Sequence, residues 1–181
     1  MIVGLLAMGV ANAAALLGAG TILRQIRTGR TPVDAVLFLT VRLVILSTAV
    51  LAAGAGSFLT PLGLGAAGLA ALLVLVARGA HRGWSLPSEL PWGRVWSLIA
   101  GILVLRLLLH VWIFAPYVID ALSYHLPKIA EWVRAGAFTR EMGLDPRSSF
   151  PAGFELVETW WVVFLHHDVL IELGGVEFLL L

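Results

Sequence analysis

Residues 1–23 read MIVGLLAMGVANAAALLGAGTIL, an apolar run without a charged side chain, interrupted at Asn12. A helix that crosses the hydrocarbon of a bilayer needs about 20 mainly apolar residues, and this stretch supplies them. A secretory signal carries basic residues ahead of its apolar core. Here the arginines come afterwards, at Arg24, Arg27 and Arg30. Gly and Ala are abundant in the run, a composition that lets helices approach closely in lipid.

The same pattern recurs downstream. A second run, Val33 to Phe58, contains Arg42 and is broken at Thr60 and Pro61. A third, Leu62 to Ala77, ends at Arg78, His81 and Arg82. A fourth, Val95 to Ala115, contains Arg106 and His110 and closes at Pro116. Hydrophobic residues make up 60% of the 181 and charged residues 13%, whereas a soluble domain is roughly a quarter charged. A chain of this size keeps much of its surface in contact with its surroundings. The composition therefore excludes an ordinary soluble enzyme and a disordered tail. The absence of cysteine excludes disulfides and thiolate metal sites. The expected class is all-α: a polytopic transmembrane helix bundle in a cell membrane of bacterial or archaeal type.

Charge placement orients the chain. Arg24, Arg27 and Arg30 share one connection, and Arg78, Arg82 and Arg94 flank another, while the turn between the second and third runs has neither Lys nor Arg. The positive-inside rule puts the basic connections in the cytoplasm, so the fourth helix exits on the outer face. Residues 1–115 then read as four transmembrane helices, 116–153 as an extracytoplasmic loop, and 154–181 as further membrane helices, truncated at the C-terminus. Of the 11 acidic residues, only Asp34 and Glu89 precede Asp120. The polar groups that chemistry requires therefore lie in the last third.

Within the loop, Leu122, Leu126, Ile129 and Val133 recur at helical spacing. Lys128, Glu131 and Arg134 lie off that stripe, and Gly136 is a plausible stop. The pattern predicts an amphipathic juxtamembrane helix lying on the bilayer, with Trp132 as its interfacial anchor. Asp145 to Gly153 is rich in turn residues. His166, His167 and Asp168 interrupt the apolar tail and read as a loop joining helices rather than a metal cluster.

The candidate chemistry centres on Asp120. An ionised carboxylate at the membrane boundary can take a proton from an incoming hydroxyl; an Asp there is equally suited to cap the following helix. Tyr124 shares a face with Asp120, and His125 lies about a quarter turn away; either can hydrogen-bond a sugar or a phosphate. Asp120 and His125 are also possible ligands of a divalent cation, although two ligands define no site. Arg106 and His110 share a face near mid-membrane, where a charge needs a polar partner: a lipid phosphate, or an ion pair with Glu155 or Glu158. No phosphate-binding Gly loop, HExxH, GxSxG or basic nucleic-acid patch occurs.

The residues Asp120-Ala121-Leu122-Ser123-Tyr124-His125-Leu126-Pro127, then Ile129-Ala130-Glu131-Trp132, then Phe150-Pro151-Ala152-Gly153-Phe154-Glu155-Leu156, resemble the first outer loop of polytopic GT-C-type glycosyltransferases. These are the relatives of protein O-mannosyltransferases and lipid A aminoarabinose transferases. The resemblance covers roughly Val111 to Val169. It implies transfer of a sugar from a polyprenyl-phosphate donor to an acceptor at the outer face. Asp120 would be the catalytic carboxylate, serving as base or helping to hold a divalent metal. Tyr124, His125, Arg106 and Glu155 would contact the substrate. More predicted spans precede the Asp-bearing loop here than in many members of the family, which have one. The resemblance identifies neither sugar nor acceptor. A multi-pass transporter or flippase and a non-catalytic membrane scaffold are the competing classes.

Overall fold

A computed structural model describes residues 1–82, 93–113, 121–139 and 153–179. Among them every regular element is helical and no strand occurs. Helix α1 spans Ile2–Ile26, α2 Thr31–Ala55 and α3 Pro61–Ala77. Helix α4 spans Gly93–Ile113, α5 Leu126–Ala135, α6 Gly153–Val163 and α7 Leu173–Leu179. A π-helical turn, Ala121–His125, leads directly into α5. The loop with Glu89, Pro116, Asp120 and the turn-rich 145–152 stretch lie outside the described residues.

Two helices are long and apolar enough to cross a bilayer: α1, with a mean hydropathy of 2.0, and residues Pro32–Ala55 of α2, with 2.3. At 1.5 Å per residue each is about 37 Å long. The predicted runs for the first four helices match the observed elements to within a few residues.

Short connections at residues 27–30 and 56–60 make α1, α2 and α3 an up-down-up unit. The parallel pair α1 and α3 pack through small residues. A Cβ built on Gly65 would sit 2.7 Å from the Cβ of Ala7, and one on Gly68 would sit 2.7 Å from the Cα of Ala11. Only a missing side chain lets these backbones approach so closely. Thr60 starts α3, its hydroxyl accepting from the Gly63 amide at 3.0 Å, with Pro61 at the first turn, a favoured N-terminal arrangement.

The arginines gather at one end of this unit. Arg24 donates to the carbonyls of Arg82, at 2.7 Å, and of Ala80. Asp34 accepts from the Thr28 amide at 2.7 Å, the Thr28 hydroxyl at 3.0 Å and the Gly29 amide at 3.2 Å, which closes the α1–α2 connection. Arg27 and Arg30 are exposed beside it.

Helix α5 docks at the opposite end. It stops at Gly136, whose φ of 65° is the left-handed geometry that glycine tolerates best. The Gly136 carbonyl accepts from the Leu59 amide at 2.8 Å, and the Phe138 amide donates to the Gly54 carbonyl at 3.0 Å. The tail of α5 is thereby stitched to the α2–α3 connection. Ile129 and Val133 of the predicted stripe are buried, Leu126 is half-buried and Leu122 is exposed. The apolar face of α5 packs on protein, and Trp132 corrects the sequence expectation. It is no interfacial anchor but a core residue at 4% exposure, edge-on to Phe138 at a 4.7 Å centroid distance.

Helix α6 packs on α2 and α5. Asn12, the interruption in the first apolar run, turns out to be a junction. Its side-chain oxygen accepts from Arg42 at 2.9 Å and from the Trp160 indole at 3.3 Å. The Arg42 guanidinium lies 5.9 Å from the Trp161 ring centroid. The charge inside α2 is thus buried against α1 and α6, which answers the need of a deep cation for partners.

Candidate functional site

The π-helical turn, α5 and the first turn of α6 bring three polar side chains together. One oxygen of Glu155 (Oε1) accepts from Lys128 Nζ at 3.0 Å and lies 3.0 Å from His125 Nδ1. The Glu155 and Lys128 side chains are 2% and 0% exposed, whereas that of His125 is 30% exposed. The Tyr124 ring lies 4.1 Å from the His125 ring, centroid to centroid, tilted by 36°. Single π-helical turns occur frequently at functional sites.

Burial of two charges is costly unless each neutralises the other. The ammonium of Lys128 is the counter-charge of Glu155. An ionised carboxylate only accepts hydrogen bonds, so His125 must present Nδ1 as N–H toward it. In the neutral ring the exchangeable lone pair then sits on Nε2. A carboxylate that fixes one imidazole nitrogen as donor orients the other as a base or acceptor. His125 is the partly exposed member of the cluster.

The sequence reading brought Tyr124, His125 and Glu155 forward, and the structure places all three in this cluster. It missed Lys128, which lies off the apolar stripe and reads as a solvent-facing charge. The available signal was Glu155 itself, an acid at the start of an apolar helix, which requires a cation.

Arg106 stands elsewhere. It is exposed on α4, in a shallow crevice with Ile102, Leu105, Leu109 and His110. The ion pair that the sequence offered it with Glu155 is taken by Lys128 instead. Asp120, the expected catalytic carboxylate, lies outside the described residues, one position before the π turn.

The described residues hold no group of three His, Asp or Glu side chains able to bind a metal ion. Glu155 is in contact with both His125 and Lys128. The chemistry of this cluster is that of an oriented imidazole beside a neutralised carboxylate. In the turn after α6, His167 Nδ1 accepts from the Val169 amide at 3.1 Å and sits 3.0 Å from Asp168. That interaction stabilises a connection between helices, as the sequence suggested. Comparison of the chain with protein-family models, with curated proteins and with solved structures finds no match.

Proposed function

We propose that this chain is a multi-pass membrane protein, with α3 and α4 joining α1 and α2 as spans, and that it forms the N-terminal portion of a GT-C-like glycosyltransferase. In this reading it transfers a sugar from a polyprenyl-phosphate donor to an acceptor at the outer membrane face. The observation that carries the reading is the His125–Glu155–Lys128 cluster, built on the segment that resembles the family's first outer loop. The large apolar side chains exposed along α1, α2, α3 and α4 support membrane embedding, since soluble monomers rarely expose large continuous apolar patches.

The roles follow from chemistry. Asp120 takes the acceptor's proton as the new glycosidic bond forms and the sugar–phosphate bond breaks, with polyprenyl phosphate as the leaving group. His125, oriented by Glu155, offers Nε2 to a sugar hydroxyl, and Tyr124 stacks beside it. Lys128 keeps Glu155 ionised without itself touching substrate. Arg106, on a separate helix, attracts the donor phosphate from the lipid side.

The deciding experiment is sugar transfer in membranes by the protein at its full natural length. Asp120→Asn keeps the size and helix-capping ability of Asp but is no longer a base. It should reduce transfer by about 10²–10⁴-fold with normal insertion. Near-normal transfer by this variant would leave Asp120 as a helix cap and remove its catalytic role, and absence of transfer by the unsubstituted protein would remove the glycosyltransferase reading. Donor movement across the bilayer without transfer would favour the flippase reading instead.

A further inference from the structure

A second crevice lies between the outer side of α5 and the turn that follows α6. Its volume is about 330 Å³, at the lower end of the range for small-molecule sites. The floor is apolar, formed by Leu126, Ile129 and Val133 of α5 with Val162 of α6. The rim is polar, formed by Arg134, His166, His167 and Asp168. This crevice is at the end of the molecule away from the arginines. Helix α5 is bonded there to Leu59 and Gly54, and the Phe164 carbonyl abuts Gly4 near the start of α1.

An apolar floor below a charged rim fits an amphiphile. The sign of the rim narrows the head. Arg134 is held by Glu131 through contacts of 2.7 and 2.9 Å, and Asp168 adds a second carboxylate. The rim therefore carries one more carboxylate than it has permanent cations. A head with net negative charge is repelled there. A head that pairs a phosphate with an ammonium is accommodated, because the rim offers the Arg134 guanidinium to the one and the Asp168 carboxylate, beside His167, to the other.

The geometry points to a binding site for the zwitterionic head and first methylenes of an ethanolamine phospholipid, with the phosphate on the Arg134 side and the ammonium on Asp168. This rests on the membrane reading above but not on sugar transfer. The site is separate from the His125 cluster, and the lipid is a bound component rather than a substrate.

Native mass spectrometry of the detergent-solubilised protein tests it, with short-chain phosphatidylethanolamine and phosphatidylglycerol as probes. The ethanolamine lipid should be retained at least about tenfold better, the worth of one charge-assisted hydrogen bond. Asp168→Asn should abolish that preference, and Arg134→Gln should weaken both lipids. Arg134 is exposed and the Asp168 side chain is 44% exposed; an unchanged melting temperature of each variant shows that the fold is kept. Ala130→Trp, on the crevice wall, should exclude both lipids while leaving the melting temperature unchanged. Equal retention of the two lipids by the unmodified protein, or a preference that survives Asp168→Asn, would overturn the assignment. Equal competition by free phosphoethanolamine, which lacks the tail the floor requires, would overturn the lipid as occupant. None of these outcomes bears on transfer activity, which is measured separately.

Discussion

Lys128 and Glu155 form a buried pair in which each charge compensates the other. Removing one charge leaves the second buried and uncompensated, whereas replacing both by apolar groups of similar size is often neutral. Lys128→Met should therefore destabilise the protein by about 3–5 kcal/mol, read as a lowered melting temperature in detergent. Lys128→Met combined with Glu155→Leu should recover most of that loss. The double variant still loses the carboxylate that orients His125, so it separates stability from function: a well-folded protein with weakened substrate binding. If the double variant melts as low as the single one, the pair is not the source of the penalty. His125→Ala leaves the buried pair in place. It should reduce activity with little change in melting temperature, because the ring is the exposed member of the cluster.

At the scale of the element, glycines decide how helices meet. The Cβ of a residue at position 68 would press on the Ala11 backbone, which cannot move aside as a flexible side chain can. Gly68→Leu should separate α3 from α1 and lower the melting temperature. Gly9 is on the same helix as Ala11, yet nothing lies within 4 Å of a Cβ built there, so Gly9→Leu should be tolerated. Leu has the higher helix propensity, so a matched loss in both would show that close approach to Ala11 is not the cause. Gly136 acts differently, through its backbone. Its φ of 65° costs a residue with a Cβ roughly 1–2 kcal/mol. Gly136→Ala should loosen the junction of α5 with Leu59, visible as faster amide exchange at Leu59 and Phe138.

At the scale of the whole molecule, the prediction concerns sidedness. The arginine-rich end and the α5 end are opposite poles of the three-helix unit. Because the chain has no cysteine, single introduced cysteines report without background. Ala135→Cys, at the exposed end of α5, should react with an impermeant thiol reagent applied to intact cells. Arg27→Cys should react only once the inner face is opened. The reverse pattern would invert the orientation and place the His125 cluster on the cytoplasmic side. Helix α4 adds a second feature at this scale. Its large side chains from Val95 to Ile113 include exposed ones on all sides, Leu103, Val104 and Leu105 in succession among them. Such a helix is satisfied by lipid or by additional helices.

The sequence by itself determined the helices, because the length of an apolar run, the prolines at its edges and the arginines beyond it are local properties of the chain. It also brought forward Tyr124 and His125 by residue type and position, and Glu155 through the resemblance. The tertiary structure alone decided what each face meets. Periodicity reports that one side of α5 is apolar, not whether lipid or protein covers it, so Trp132 read as an anchor and proved to be core. A lysine on an amphipathic helix reads as solvent-facing unless its partner is known, and the partner of Lys128 is 27 residues further along. Asn12 and Arg42 are likewise separate anomalies in two apolar runs until packing makes them neighbours. Burial of a charge is settled by long-range pairing, and no local pattern in a single chain records which distant residues will be brought within 3 Å of each other.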